Sequence, residues 1–198
     1  MTIQTLSLFV GPLLDQYAAA PPEERQRIEA DIWRSYGKEL AVMVLDMSGF
    51  SLLTQRHGIV YYLAMVRRMQ RAVAPIVMAR GGEVVKFEAD DCFAVFGTPL
   101  HAAEAARDIH AVLARDTHPD MIRVSIGIDF GQVLMVDNLD VFGNAVNRAS
   151  KLGEDIAEAG ETLITKEAFG LIPPSAGISG RPTELTLSGI RMEAYSLG

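Results

Sequence analysis

Apolar residues recur along this chain with two different periods, and the alternation between them predicts an order of elements. Leu40 to Leu45 is a near-continuous apolar run, the pattern of a strand buried on both faces. Ahead of it, after a small-residue and proline break at Ala18 to Pro22, Glu23 to Tyr36 carries its acidic residues early and sets Ile28, Ile32 and Trp33 on roughly one side. That pattern predicts an amphipathic helix, suited either to cap the domain or to meet a regulatory partner. Ser51 to His57 and Gly58 to Arg80 predict two more helices. The second repeats Ile59, Tyr62, Met65, Val66, Met69, Val73 and Val77 at helical spacing, with Pro75 placed to kink it. Val84 to Phe87 and Cys92 to Phe96 are β-rich runs too close together for anything but a tight hairpin. An alanine-rich helix from Pro99 to Arg115 follows, then a strand from Met121 to Ile128. Asp129 to Val136 then leads through Gly131 into another strand. After Gly143, the residues Ala145, Val146, Ala149 and Leu152 mark the inward stripe of a last clear helix.

Composition narrows the classes. A chain of 198 residues, 49% hydrophobic, can bury one sizeable core. The expected division is an N-terminal helical extension over 1–39 and one domain over 40–198. A net charge of −7 without a basic stripe argues against a nucleic-acid surface. The single cysteine, Cys92, excludes an internal disulfide, and its apolar β run reads as a buried small hydrophobe. His57, His101, His110 and His118 show no metal spacing and read as helix-surface or loop residues. Thr2 to Leu14 lacks a basic flank and meets Asp15 early, so no targeting signal is expected. Arg67, Arg68 and Arg71 interrupt the longest apolar span. The expectation is a soluble, cytoplasmic protein, with no membrane and no nucleic acid among its partners.

Three stretches carry candidate chemistry. The strand at Leu40 to Leu45 runs directly into Asp46-Met47-Ser48-Gly49-Phe50-Ser51. An ionised Asp after a buried strand is costly unless paired, and a bound cation would pair it. Ser48-Gly49 permits a close turn, and amides at a helix start near Ser51 can hold phosphate oxygens. No Gly-x-x-x-x-Gly-Lys-Ser/Thr loop accompanies this Asp-x-x-Gly, which closes the GTPase route. The second stretch is the hairpin, with Lys86 at its mouth and Glu88, Asp90 and Asp91 at its tip. That corner reads either as a solvated turn or as a carboxylate held by a sheet, which suits a hard cation. In the third, Asn147 and Lys151 lie four apart on one helix face, a neutral donor and a cation able to grip a developing anion.

In order and spacing, Leu45-Asp46-Met47-Ser48-Gly49-Phe50-Ser51, Lys86-Phe87-Glu88-Ala89-Asp90 and Asp140-Val141-Phe142-Gly143-Asn144-Ala145-Val146-Asn147 resemble the class III adenylate/guanylate cyclase catalytic domain. The resemblance implies an α+β fold with a ferredoxin-like βαββαβ core and a head-to-tail homodimer with sites at its interface. It also implies ATP as substrate and two Mg²⁺ or Mn²⁺ ions per site, held by Asp46, the Met47 carbonyl and Asp90. By the same resemblance Ser48, Gly49, Phe50 and Ser51 cradle the phosphates, while Lys86 and Asp140 of the other subunit select adenine. Asn147 would orient the ribose, and Lys151 stands where the family has arginine, keeping the charge but losing the planar fork. Glu88-Ala89 replaces an apolar residue and glycine, Asp91 is a further candidate if the register shifts, and Ser188 stands where many members place a phosphate-binding lysine that Arg191 could replace. The alternative implied by these departures is a catalytically weakened cyclase-like module that binds nucleotide and regulates. A diguanylate cyclase on the related palm fold lacks its Gly-Gly-Asp/Glu-Glu-Phe signature here.

Overall fold

The computed structural model describes residues 10–187 and 190–198. Ser188 therefore lies outside the described residues. The strand expected at Leu40 to Leu45 is β1 (Gly37–Met47), and it is the spine of the molecule. Its side chains alternate between two cores. Ala41, Met43, Leu45 and Met47 enter one apolar cluster, with α4 (Ile59–Ala79) and α5 (Pro99–Ala114). Val42 and Val44 enter a second, with α6 (Asn144–Ser150). Burial on both sides is why the strand reads as an unbroken apolar run.

The hairpin forms β2 (Glu83–Glu88) and β3 (Asp91–Phe96), and α3 (Phe50–His57) precedes α4, which continues unbroken across Pro75. With β4 (Val124–Val136) these elements run β1–α4–β2–β3–α5–β4, and the strands lie in the order β2-β3-β1-β4 with antiparallel neighbours. This is the ferredoxin-like arrangement. The sheet continues through β6 (Thr162–Thr165), parallel to β4, and then β8 (Ile190–Leu197) and β7 (Gly180–Leu187), while β5 (Asp140–Phe142) pairs with the far end of β4.

Two expectations are corrected. The two strands expected on either side of Asp129 are one 13-residue strand. Gly131 does not break it, because the Ala145 methyl of α6 packs over that position and the ladder with Leu40 continues. The helix expected to run through Leu152 is α-helical only to Ser150, and a π-helical turn then spans Lys151–Ile156.

The apolar face of α2 (Pro22–Tyr36) is used inside the chain. Ile28 and Ile32 pack with Val10 of α1 (Val10–Ala19) and with Leu134 and Val136 of β4. The other face carries exposed pairs one turn apart, Glu24 with Arg27 and Asp31 with Arg34.

Candidate active site

Asp46 and Asp91 are register partners on β1 and β3, so their side chains share the α6 face of the sheet. Val42 and Val44 fill that face below Asp46 and are fully buried. Asp46 is pushed up to about 6 by burial, then by the charges of Asp90 and Glu154. Asp91 is pushed up to about 7 by burial and by Glu154, Asp46 and Asp90. A side-chain hydrogen bond between Asp91 and Asp46 across the strands works against these effects at Asp46.

Glu154 comes from the π-helical turn, and burial raises its pKa as well. That turn is seated on the sheet by two glycines. A Cβ on Gly153 would lie 2.7 Å from the Val44 carbonyl oxygen and 2.8 Å from the Gly127 nitrogen. The sequence reading missed Glu154. Its signal was present, since 147, 151 and 154 share one face at helical spacing.

Asp90 sits at the hairpin tip behind Ala89, whose φ of 51° is left-handed. The buried Tyr62 hydroxyl of α4 donates to Asp90 Oδ2 at 2.5 Å. Tyr62 was expected as part of a core stripe only, and its polar end went unnoticed.

Lys86 and Asp140, far apart in sequence, meet within one chain at 3.2 Å between Nζ and Oδ1. A β-bulge between Val84 and Lys86 makes this meeting possible. Val84 and Phe87 both pack toward the α4 and α5 cluster, although strict alternation would send them to opposite faces. The extra residue turns Lys86 to the α6 face, over the Phe93 ring. Asp140 is nearly buried and also accepts from the Val141 amide at 2.9 Å. Glu88 Oε2 accepts a second hydrogen bond from Lys86 Nζ at 2.9 Å. Burial works against the ammonium, but its bonds to Glu88 and Asp140 hold it above the usual lysine value.

Asn147 is exposed on α6. Lys151, the first residue of the π turn, is bound at 2.6 Å by Asp155. Between them Arg148 turns toward the sheet and meets Asp129 of β4 at 2.5 Å, with Thr165 donating to the other carboxylate oxygen. The Ser48 amide donates to the Arg123 carbonyl at 3.0 Å. Gly49 follows at φ 99°, and the amides of the first turn of α3 have no intrahelical partner.

Asp46, Asp90 and the Met47 carbonyl are hard oxygen donors, and around them burial and neighbouring carboxylate charge raise both Asp46 and Asp91. Among the described residues no three metal-binding side chains already enclose a site. Two carboxylates fit Mg²⁺ or Mn²⁺ in the manner of sites whose remaining positions go to water and substrate phosphates.

Residues 34–197 match the family model of the adenylate and guanylate cyclase catalytic domain. The chain belongs to this family. An adenylate cyclase of Streptomyces coelicolor is 34% identical over 140 residues, covering 66% of this chain and 36% of that protein. The fold of this cyclase domain matches the adenylyl cyclase CyaB from P. aeruginosa with a TM-score of 0.70 at 21% identity, over 82% of this chain and 94% of that one. It also matches the catalytic core of a rhodopsin-guanylyl cyclase with converted specificity, crystallised with ATPalphaS, at 0.73 and 21% identity over 82% and 98% of the two chains. The chain spans only 22% to 36% of the length of the curated relatives it matches. Among its described residues the cyclase domain has no helix long and apolar enough to cross a membrane.

Proposed function

We propose that this cyclase domain is an adenylate cyclase, converting ATP to 3′,5′-cyclic AMP and pyrophosphate at sites shared between two copies of the chain. The observation that carries the reading is the Lys86–Asp140 pair. A lysine donates to adenine N1, and a carboxylate beside it accepts from the N6 amine. Guanine presents a donor and an acceptor at those positions, and the same two side chains would clash with it electrostatically.

The other residues divide the work as follows. Asp46, the Met47 carbonyl and Asp90 of one copy would hold two divalent cations, Mg²⁺ or Mn²⁺. When bound, such ions supply Lewis-acid charge at the ribose 3′-hydroxyl and the triphosphate. The first turn of α3, from Gly49 through Ser51, receives phosphate oxygens on its amides, with Ser48 shaping the turn. Lys86 and Asp140 of the other copy bind the base, Asn147 orients the ribose, and Lys151 faces the charge that develops as the 3′-oxygen attacks the α-phosphorus and pyrophosphate leaves in line.

The test is the purified protein with ATP and with GTP, in Mn²⁺ and in Mg²⁺. The expected product is cyclic AMP, formed in preference to cyclic GMP, and Asp46→Ala and Asp90→Ala should each lose turnover while keeping the wild-type circular-dichroism spectrum. Equal use of GTP removes the adenine reading. Full activity in either variant removes the metal reading. The Lys151–Asp155 ion pair supports one second reading, a nucleotide-binding module with little turnover. Calorimetric binding of ATP without cyclic AMP formation would select it.

A further inference from the structure

We infer that Tyr62 is a positioning residue for Asp90, its hydroxyl holding carboxylate oxygen Oδ2 and leaving Oδ1 to a divalent cation. The inference rests on the reading of Asp90 as a metal ligand and deepens it. Asp90 alone is poorly fixed, because it stands at the tip of a two-residue hairpin corner with a left-handed residue before it. Tyr62 is the opposite. The residue is 2% exposed, lodged in the apolar cluster between α4 and the sheet. A tyrosine buried this way needs a partner for its hydroxyl, and here the partner is Asp90 at 2.5 Å.

The bond therefore couples a rigid helix to the corner of the hairpin. A carboxylate that accepts from a neutral phenol keeps its charge and loses rotational freedom, which is what a small cation with a strict octahedral shell requires. A tyrosine hydroxyl is a neutral O–H donor at physiological pH, and this one points at Asp90 Oδ2. The neighbouring residue supplies a control from the same helix. Tyr61 donates instead to Asp120, in the connection between α5 and β4.

The experiment titrates Mn²⁺ into the 198-residue chain without nucleotide, following free Mn²⁺ by electron paramagnetic resonance, for wild type, Tyr62→Phe, Tyr61→Phe and Asp90→Asn. Tyr62→Phe should bind Mn²⁺ about tenfold more weakly, in the range for loss of a partner behind a metal ligand, while Tyr61→Phe binds as wild type. Asp90→Asn should lose the site. If Asp90→Asn loses binding and Tyr62→Phe does not, the metal reading stands and the role of Tyr62 falls. An equal loss in Tyr61→Phe would mean general loosening of α4 and would also overturn it. If wild type binds no Mn²⁺, or Asp90→Asn binds as wild type, the metal reading fails and takes this inference with it.

Discussion

Ala89 holds φ 51° at the corner of the hairpin, a conformation in which a Cβ costs roughly 1 kcal/mol relative to glycine. The corner keeps its shape because the pairing of Glu88 with Asp91 and Phe87 with Cys92 closes it on both sides. Ala89→Gly should relieve that strain, less the added freedom of the unfolded chain. The expected gain is about 0.5 kcal/mol, read as a higher urea midpoint at unchanged slope. A lower midpoint would show that the methyl does more than strain the turn. At this scale the sequence was a good guide to residue type and a poor one to partners. Cys92 is fully buried with its thiol pushed up to about 12, as its apolar run suggested. His110 was expected at a surface or in a loop, yet it is half-buried on α5 and bonded to Thr162 of β6 at 2.9 Å. Nothing in its spacing pointed to β6, because that contact is made across 52 residues.

His110 ties two elements together, and its titration tests that tie. Burial holds its pKa below the ordinary 6.5, so the folded state resists protonation. The sign follows directly. Above 6.5 neither state binds the proton and stability is unaffected. As the pH falls below 6.5 the unfolded chain binds a proton that the native state does not, and stability drops until the folded pKa is reached. Thermal midpoints of His110→Gln and wild type should therefore converge as the pH is lowered from about 7.5 to about 5. A constant gap would mean that His110 charges as easily folded as unfolded. From α2 to α6 most element boundaries were legible, since hydrophobic period and turn residues are local properties. The bulge in β2 and the π-helical turn were not. Each inserts a shift that only neighbouring elements impose, the bulge through packing on two faces and the π turn through the contact of Gly153 with Gly127.

The proposed sites need two copies of the chain, and that claim has its own test. Asp46 and Asp90 would act from one copy, while Lys86, Asp140, Asn147 and Lys151 would act from the other. An Asp46→Ala chain and an Asn147→Ala chain should each be nearly inactive alone. Mixed in equal amounts and allowed to exchange, they should recover about a quarter of wild-type activity, because half the dimers are mixed and each has one intact site of two. No recovery, with exchange shown by a tagged partner, would place the whole site in one chain.

Local patterning was enough to give the order and kind of most elements from α2 to α6, the double burial of β1 and the three stretches with candidate chemistry, whereas α1, β5 and the elements after α6 went unread. Those properties depend on neighbours along the chain, where period and turn residues speak for themselves. The meeting of Asp46 with Asp91 and Glu154, the turning of Lys86 toward Asp140 and the grip of Tyr62 on Asp90 arise only when strands take their register and helices settle on the sheet. A hydrogen bond or a charge acts over a few ångströms in space, and distance in space is set by packing.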